Sequence, residues 1–237
     1  MSNILDDAKK TGLREESGCP YNPGEMLFYP LMVAGGLFWA LAYLLIIRRG
    51  FLDGTYGMPV AALCANISWE FVFSFIFPHG PIQTPVNVAW FVLDLVILGQ
   101  VVRYGPREFP ALPRRSFYAA LIAGLLTALA AVVAITVEFQ DFDGAYTAFG
   151  MNLMMSVLFL WMLYPRGSLR GQSPWIGVAK MVGTACNSAA FWLYASEGSV
   201  LLPFLFVAIL LFDAAYVFFA FRLRRTKGVF ASARAVG

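Results

Sequence analysis

Four side chains that are charged at neutral pH stand inside otherwise apolar stretches of the sequence: Glu70, Asp94, Lys180 and Asp213. An ionised side chain at the centre of a bilayer costs roughly 2.5–3.5 kcal/mol on insertion scales. Such residues are therefore kept neutral, paired with a neighbour, or turned toward an internal polar cavity. All three arrangements favour a functional site over a surface that faces lipid.

Polar or aromatic residues accompany these side chains at helical spacing, which marks out one face of a helix. Asn66 precedes Glu70 by one helical turn, and Phe73 follows it by one turn. Lipid offers polar groups no partner, so we expect the polar faces of five helices to share one interior. The other stripes are Asn87, Trp90 and Asp94; Lys180, Thr184 and Asn187; Asp213 and Tyr216; and Asn152 with Ser156.

Aromatic residues near the stripes divide into two groups. We expect Trp69, Trp90 and Trp192 to line a cavity, because they lie beside the polar residues. Trp39 is one of several tryptophans expected in the interfacial belt instead, which is a common place for this residue in membrane proteins. The single histidine, His79, lies between Pro78 and Gly80 and is predicted to serve a turn.

Neutral carboxylic acids in a dry, aromatic-walled pocket suit the protonation of a weak base such as an alkene or an epoxide. Aromatic faces stabilise the resulting carbocation by roughly 0.5–2 kcal/mol each, and exclusion of water prevents its early capture. The residues alone fit a proton relay equally well, or hydrogen bonds that only hold helices together. The depth of Lys180 allows it to pair with Asp213 or Asp94, or to reach the cytoplasmic headgroups.

The composition indicates what holds these side chains. Of the 237 residues, 59% are hydrophobic and 13% are charged, which is typical of an all-α, polytopic membrane protein. A hydrocarbon core of about 30 Å needs about 20 apolar residues per helix. We expect an extramembrane tail at 1–26, a membrane domain at 27–222 and a basic cytoplasmic tail at 223–237. Seven transmembrane helices are predicted, at Leu27–Ile47, Gly57–Phe77, Pro85–Val102, Phe117–Val137, Tyr146–Tyr164, Trp175–Tyr194 and Val200–Phe221.

Arginines are distributed unevenly over the connections between the predicted helices. They follow the first helix and lie between the third and fourth, between the fifth and sixth, and after the seventh. The alternate loops contain no Lys or Arg. Because basic loops stay cytoplasmic, this pattern places the N-terminus outside and the C-terminus inside. The net charge of +3 therefore reflects orientation in a lipid bilayer, and we predict no nucleic-acid partner.

Several of these residues together resemble a known family. They are the run Asn66-Ile-Ser-Trp-Glu-Phe with Pro78 after it, Trp90 with Leu93-Asp94, Lys180 with Gly183-Thr184, and Asp213 in the last helix. This set resembles the integral-membrane terpene cyclases of meroterpenoid and indole-terpenoid pathways. The resemblance extends over nearly all seven predicted helices.

The resemblance implies an enzyme in which two acidic residues are essential, and Glu70 and Asp213 stand at the matching positions. Which of the two starts the reaction stays open at this point. The implied substrate is a prenyl chain, of farnesyl length, on an aromatic, polyketide or indole-derived head, cyclised through carbocations with no cofactor and no metal. The residues expected to support the site are Asn66, Trp69, Phe73, Trp90, Asp94, Asn152, Lys180, Asn187, Trp192 and Tyr216.

Three other functions are compatible with the sequence: a proton-coupled transporter or channel, a retinal photoreceptor, and a membrane carotenoid cyclase. Retinal proteins carry a Schiff-base lysine in the last helix, where this sequence has Asp213. The Ala- and Arg-rich C-terminal segment favours a bacterial genome, and hence a bacterial plasma membrane. The sequence leaves the oligomeric state open.

Overall fold

The computed structural model describes residues 23–194 and 198–235. These residues form seven α-helices with short connections, and they contain no β-strand. The predicted all-α class and the number of helices are confirmed. The helices are α1 (Pro23–Asp53), α2 (Val60–Phe71), α3 (Gln83–Glu108), α4 (Arg114–Glu138), α5 (Ala145–Arg166), α6 (Pro174–Tyr194) and α7 (Leu201–Ala235).

Five helices in the described part of the chain are long and apolar enough to cross a bilayer: α1, α3, α4, α5 and α7. α2 and the five residues that follow it, Val72–Ile76, together form a shorter apolar helix, Val60–Ile76. α6 has 21 residues and carries Lys180 among them. Most helices extend past the predicted spans, because their end turns contain polar residues that a hydropathy rule leaves out. α7 continues to Ala235, through the segment expected to be a separate tail, and residues 1–22 of the expected N-terminal tail lie outside the described residues.

Two glycines allow α1 and α6 to approach closely. A Cβ placed on Gly35 would lie 3.0 Å from the Gly183 carbonyl oxygen, and a Cβ on Gly183 would lie 3.0 Å from the Gly35 carbonyl oxygen. Small residues let membrane helices pack until their backbones touch. α1 and α6 therefore form a tight pair, and α1 also packs against α3.

α2 continues into a π-helical turn, Val72–Ile76, which begins two residues after Glu70. A π turn is rare and often lies at a functional site. Phe73 in this turn is fully buried, and its ring packs on Trp69 with a centroid distance of 4.7 Å. The turn changes the helical register just beyond the face that carries Glu70.

The connection between α4 and α5 closes over the same end of α2. Gly144 in this connection has a φ of +64°, and a Cβ there would lie 2.7 Å from Phe73 and 2.9 Å from Trp69. Only glycine fits that position without strain. Asp141 then accepts a hydrogen bond from the backbone N–H of Thr147 at 2.9 Å, which satisfies the first turn of α5.

Candidate active site

Glu70 belongs to a hydrogen-bonded group of four side chains, here called the Glu70 cluster: Tyr43 of α1, Asn66 and Glu70 of α2, and Asp94 of α3. Tyr43 donates its hydroxyl proton to Glu70 Oε1 at 2.6 Å. Asn66 Nδ2 lies 3.0 Å from Glu70 Oε1 and 2.8 Å from Asp94 Oδ2, and it also contacts the Tyr43 hydroxyl oxygen. Glu70 and Asp94 are fully buried. Three helices therefore hold two carboxyl groups side by side.

Each carboxyl in the Glu70 cluster keeps one oxygen without a donor. Glu70 Oε2 and Asp94 Oδ1 are buried and accept no hydrogen bond from any described residue. The two carboxyl groups are neighbours, because the same Asn66 Nδ2 lies 3.0 Å from Glu70 Oε1 and 2.8 Å from Asp94 Oδ2. Two carboxylates cannot bond to each other, but a carboxylic acid can donate to a neighbouring carboxyl oxygen. The arrangement is therefore that of an acid pair that holds at least one proton.

Glu70 and Asn66 line a cavity of about 820 Å³, here called the large cavity. Its volume lies within the range of roughly 300–1,000 Å³ that is usual for small-molecule sites. Tyr29, Val33 and Leu37 of α1 also line it, although they are 60%, 58% and 67% exposed. The wall of the large cavity along α1 is thus one side chain thick.

Aromatic rings form much of the wall of the large cavity. Trp39 of α1, Trp69 of α2 and Trp90 of α3 all line it. Trp69 is fixed in place, because its indole N–H donates to Thr147 Oγ1 at 3.0 Å and to the Gly144 carbonyl at 3.2 Å. A cation formed inside the large cavity would therefore lie near tryptophan rings from three helices.

Asp213 lies in a second group, here called the Asp213 cluster: Ser156 of α5, Lys180 of α6 and Asp213 of α7. Lys180 Nζ lies 2.8 Å and 3.0 Å from the two carboxylate oxygens of Asp213, and it donates to Ser156 Oγ at 2.7 Å. Both side chains of the ion pair are 4% exposed. Of the three arrangements considered for Lys180, pairing with Asp213 is the one observed.

The two clusters belong to different cavities. Asp213 lines a smaller cavity of about 170 Å³ and does not line the large cavity. Trp39 lies between the clusters: its ring is 6.0 Å from the Tyr43 ring and 5.6 Å from Lys180 Nζ. The expected single polar interior is therefore divided in two, because the packing of α1 inserts aromatic rings between the polar faces.

A third polar group lies on the α5 and α6 wall of the large cavity. Asn152 Nδ2 donates to Thr184 Oγ1 at 2.9 Å, and Asn187 lies one turn beyond Thr184. All three side chains line the large cavity. Thr184 also reaches the smaller cavity, so it forms part of the partition between the two.

Three residues expected in the site lie elsewhere. Phe73 is buried behind the wall, where it stacks on His79 with a centroid distance of 4.8 Å. Tyr216 is buried and donates to the Ser173 carbonyl at 3.4 Å, outside both cavities. Trp192 is 58% exposed and does not line the large cavity, because its face of α6 is turned outward.

Three cavity residues were missed or given another role. Tyr43 went unnoticed because α1 has no ionisable residue inside its apolar run, although Trp39 and Tyr43 form an aromatic pair one turn apart. Trp39, which was predicted for the interfacial belt, lines the large cavity. His79 lies in the connection after α2 and also lines the large cavity; burial lowers the pKa of its imidazole. The described residues contain no group of three His, Cys, Asp or Glu side chains that could hold a metal ion.

These observations define a class: a helical membrane protein with a buried acid pair beside an aromatic cavity. The chain belongs to the family of Pyr4-like transmembrane terpene cyclases, whose sequence description matches residues 19–226. It is 32% identical to terpene cyclase pyr4 of Aspergillus fumigatus over 214 residues. This aligned region covers 82% of this chain and 86% of the relative.

Two further relatives agree with this assignment. Asnovolin H synthase nvfL of Aspergillus novofumigatus is 34% identical over 166 residues, which cover 65% of each chain. Pyr4-family terpene cyclase mfmH of Annulohypoxylon moriforme is 31% identical over 170 residues, which cover 69% of this chain and 70% of the relative. No solved structure matches the chain.

Membership of the family shows that the protein is an enzyme of terpenoid and meroterpenoid biosynthesis that catalyses terpene cyclisation. It is a multi-pass membrane protein and acts on a prenylated substrate. The family membership therefore favours a terpene cyclase over the transporter, channel and photoreceptor alternatives. The three relatives come from fungi, so the bacterial plasma membrane predicted from the C-terminal composition has no support.

Proposed function

We propose that the protein cyclises a linear prenyl chain, of farnesyl length and carried on an aromatic, polyketide or indole-derived head, after Glu70 protonates the terminal alkene or epoxide. The observation that carries this proposal is that Glu70 both lines the large cavity and belongs to an acid pair. Asp213 lines only the smaller cavity and is ion-paired with Lys180. A ligand in the large cavity would therefore meet Glu70 first.

The contacts of Glu70 suit proton donation. Because Oε1 already accepts a hydrogen bond from Tyr43, the proton of the acid form belongs on Oε2. When an alkene takes that proton, its π electrons form the new C–H bond and the O–H electron pair stays on Glu70. The Tyr43 hydroxyl and the Asn66 amide then stabilise the carboxylate. Asp94, which lies behind Glu70, adds a further hydrogen bond when it is protonated.

The wall of the large cavity suits the steps that follow. Each desolvated aromatic face stabilises a nearby cation by roughly 0.5–2 kcal/mol, so Trp39, Trp69 and Trp90 favour the carbocations of a cyclisation over their capture by water. Loss of a proton from the last cation ends the reaction. The product is then an isomer of the substrate.

We infer that all seven helices span the membrane, with the N-terminus on the non-cytoplasmic side. The ion pairs of Arg49 with Asp53, at 2.8 Å, and of Arg170 with Glu108, at 2.7 Å, involve the last turns of α1 and α3 and the connection between α5 and α6, which are all on the side predicted to be cytoplasmic. The large cavity is lined instead by His79 and Gly144, which belong to the opposite connections. The proposed site therefore opens toward the non-cytoplasmic half of the bilayer.

Mass spectrometry of extracts tests the proposed function. Membranes that contain the protein are incubated with a farnesylated phenol, its terminal epoxide, or a linear carotenoid. We expect a cyclic isomer of unchanged mass from one of the farnesylated compounds, and no such product from Glu70→Gln membranes. An isomer from the carotenoid alone would assign the protein as a carotenoid cyclase, and full activity of Glu70→Gln would show that another residue is the acid.

A further inference from the structure

Two amide side chains in the wall of the large cavity have polar atoms without partners. Asn152 is 8% exposed, and its Oδ1 is buried without a hydrogen bond to any described residue. Asn187 makes no side-chain hydrogen bond in the described part of the chain, and its Oδ1 is also without a donor. A buried polar group left unpaired costs about 1–3 kcal/mol, so a ligand that pairs with it is stabilised.

The neighbours of each amide determine which atom remains for a ligand. Asn152 Nδ2 is occupied by Thr184 Oγ1, so Asn152 has its carbonyl oxygen to offer as an acceptor. Asn187 Oδ1 packs directly against the backbone of α1 at Gly35. A Cβ placed on Gly35 would lie only 1.9 Å from this oxygen. Asn187 is left with its Nδ2 as a donor. The wall thus presents one acceptor and one donor.

We propose that Asn152 and Asn187 form a subsite for a hydroxyl group on the head of the substrate. A hydroxyl accepts a hydrogen bond from Asn187 Nδ2 and donates one to Asn152 Oδ1. This inference rests on the proposed function, because it identifies the head group of the ligand whose prenyl chain reaches Glu70. With the head on the α5 and α6 wall and Glu70 on α2, the far end of the prenyl chain is the end that receives the proton.

The Asp213 cluster fixes the relative position of α5 and α6, the two helices that carry this subsite. Ser156 and Lys180, which bond to each other, lie one turn away from Asn152 and Thr184 on the same two helices. The ion pair of Lys180 with Asp213 ties both helices to α7. Asp213 thereby acts as a positioning residue for the head subsite, without a contact to the large cavity.

Binding measurements on the full chain in lipid nanodiscs test the subsite. The probes are a farnesylated phenol and its methyl ether, which keeps the acceptor oxygen and lacks the donor proton. Binding is followed by tryptophan fluorescence, because three tryptophans line the large cavity, and empty nanodiscs correct for partition into lipid. We expect the phenol to bind about tenfold more tightly than the ether, which corresponds to one net hydrogen bond.

The variants separate the two amides. Asn152→Leu should abolish the preference, so that phenol and ether bind with about equal affinity. Asn187→Leu should lower the affinity for both probes equally and leave the preference for the phenol near tenfold. Thr184→Val, which frees the Asn152 amide to turn, should reduce the preference even if Asn152→Leu does not fold. Ser188→Ala is the matched control, because Ser188 lies beside Asn187 but lines only the smaller cavity.

Equal binding of phenol and ether to the wild-type protein would overturn the subsite. So would an unchanged preference in both Asn152→Leu and Thr184→Val. The proposed function has a separate readout, the cyclic isomer. If the probes bind in the expected pattern and no isomer forms, the proposed cyclisation of a farnesyl chain is refuted and the subsite is retained. If both probes bind with equal affinity and are cyclised, only the subsite is refuted.

Discussion

The Glu70 cluster and the Asp213 cluster are alike in burial and differ in charge balance. Each has a carboxyl group that is almost inaccessible, and each includes a hydroxyl-bearing side chain of another helix. Tyr43 donates directly to Glu70, whereas Ser156 accepts from Lys180 and not from Asp213. Asp213 is neutralised by Lys180 at 2.8 Å. None of the described cationic side chains bonds to Glu70, whose neighbour is a second acid, Asp94.

Because the two carboxyl groups are equally buried, burial alone does not distinguish a proton donor from a member of a structural ion pair. A carboxylate with a buried counter-ion can remain ionised, and it then joins helices as a fixed ion pair. A carboxyl group without a counter-ion in a dry site is kept with its proton. Only the second kind has a proton to deliver, which is why we assign the chemistry to the Glu70 cluster and a positioning role to the Asp213 cluster.

The largest expected effect is the loss of the acid itself. Glu70→Gln keeps the shape of the side chain and removes its proton, so we expect cyclisation to fall by roughly 10³-fold, within the usual range for a general acid. The thermal stability of the variant should remain close to that of the wild-type protein, since the amide oxygen still accepts from Tyr43. Rates are measured as the appearance of the cyclic isomer, and a retained rate would remove the contrast between the clusters.

The second prediction concerns the ion pair. Asp213→Asn leaves Lys180 charged and buried, which destabilises a protein by roughly 3–5 kcal/mol. We expect a strongly lowered melting temperature and little folded enzyme. The double variant Lys180→Met with Asp213→Leu removes both charges and should recover folding and kcat, with a raised KM because the tie that positions the head subsite is lost. A double variant that folds well and is inactive would show that Asp213 takes part in the chemistry.

The third prediction concerns the partner acid. Asp94→Asn can still donate a hydrogen bond to Glu70, whereas Asp94→Leu, of similar volume, cannot. We expect Asp94→Asn to retain activity within about tenfold and Asp94→Leu to lose roughly a hundredfold or more, since a hydrogen bond to a charged group contributes about 1.5–3 kcal/mol. The loss should appear in kcat and leave KM unchanged, which a defect in substrate binding would not reproduce.

The smallest expected effects come from removing one hydroxyl in each cluster. Tyr43→Phe should lower kcat about tenfold with little change in melting temperature, because Tyr43 stabilises the carboxylate that Glu70 forms during the reaction. Ser156→Ala should do the reverse: it should lower stability by about 1 kcal/mol and leave kcat unchanged. If both variants changed the same quantity, the two clusters would share one role.

The sequence was sufficient to predict contacts within a helix. The spacing of Asn66 and Glu70 indicated that they share a face, and their side chains are hydrogen-bonded at 3.0 Å. The same criterion predicted that Trp69, Trp90 and Trp192 line a cavity; the first two do so, whereas Trp192 is turned outward. These relations depend on helical periodicity alone.

Contacts between helices could not be predicted in the same way. Tyr43 bonds to Glu70 because α1 packs between α3 and α6. That arrangement depends on glycines such as Gly35, which allow a close approach of helices but do not indicate which helix approaches. The choice of Asp213 over Asp94 as the partner of Lys180 depends on helix rotation, which depth along a span does not determine. The π turn after Glu70 alters that rotation locally and has no simple sequence signature.

The thin wall of the large cavity along α1 has a consequence for how the enzyme meets its substrate. Where a site lies one side chain from the hydrocarbon phase, a prenylated molecule can arrive by lateral diffusion in the bilayer. The concentration that governs the rate is then the mole fraction of substrate among lipids. Adding inert phospholipid at a constant amount of substrate and enzyme should slow the reaction by dilution in two dimensions, although the concentration per volume of buffer is unchanged.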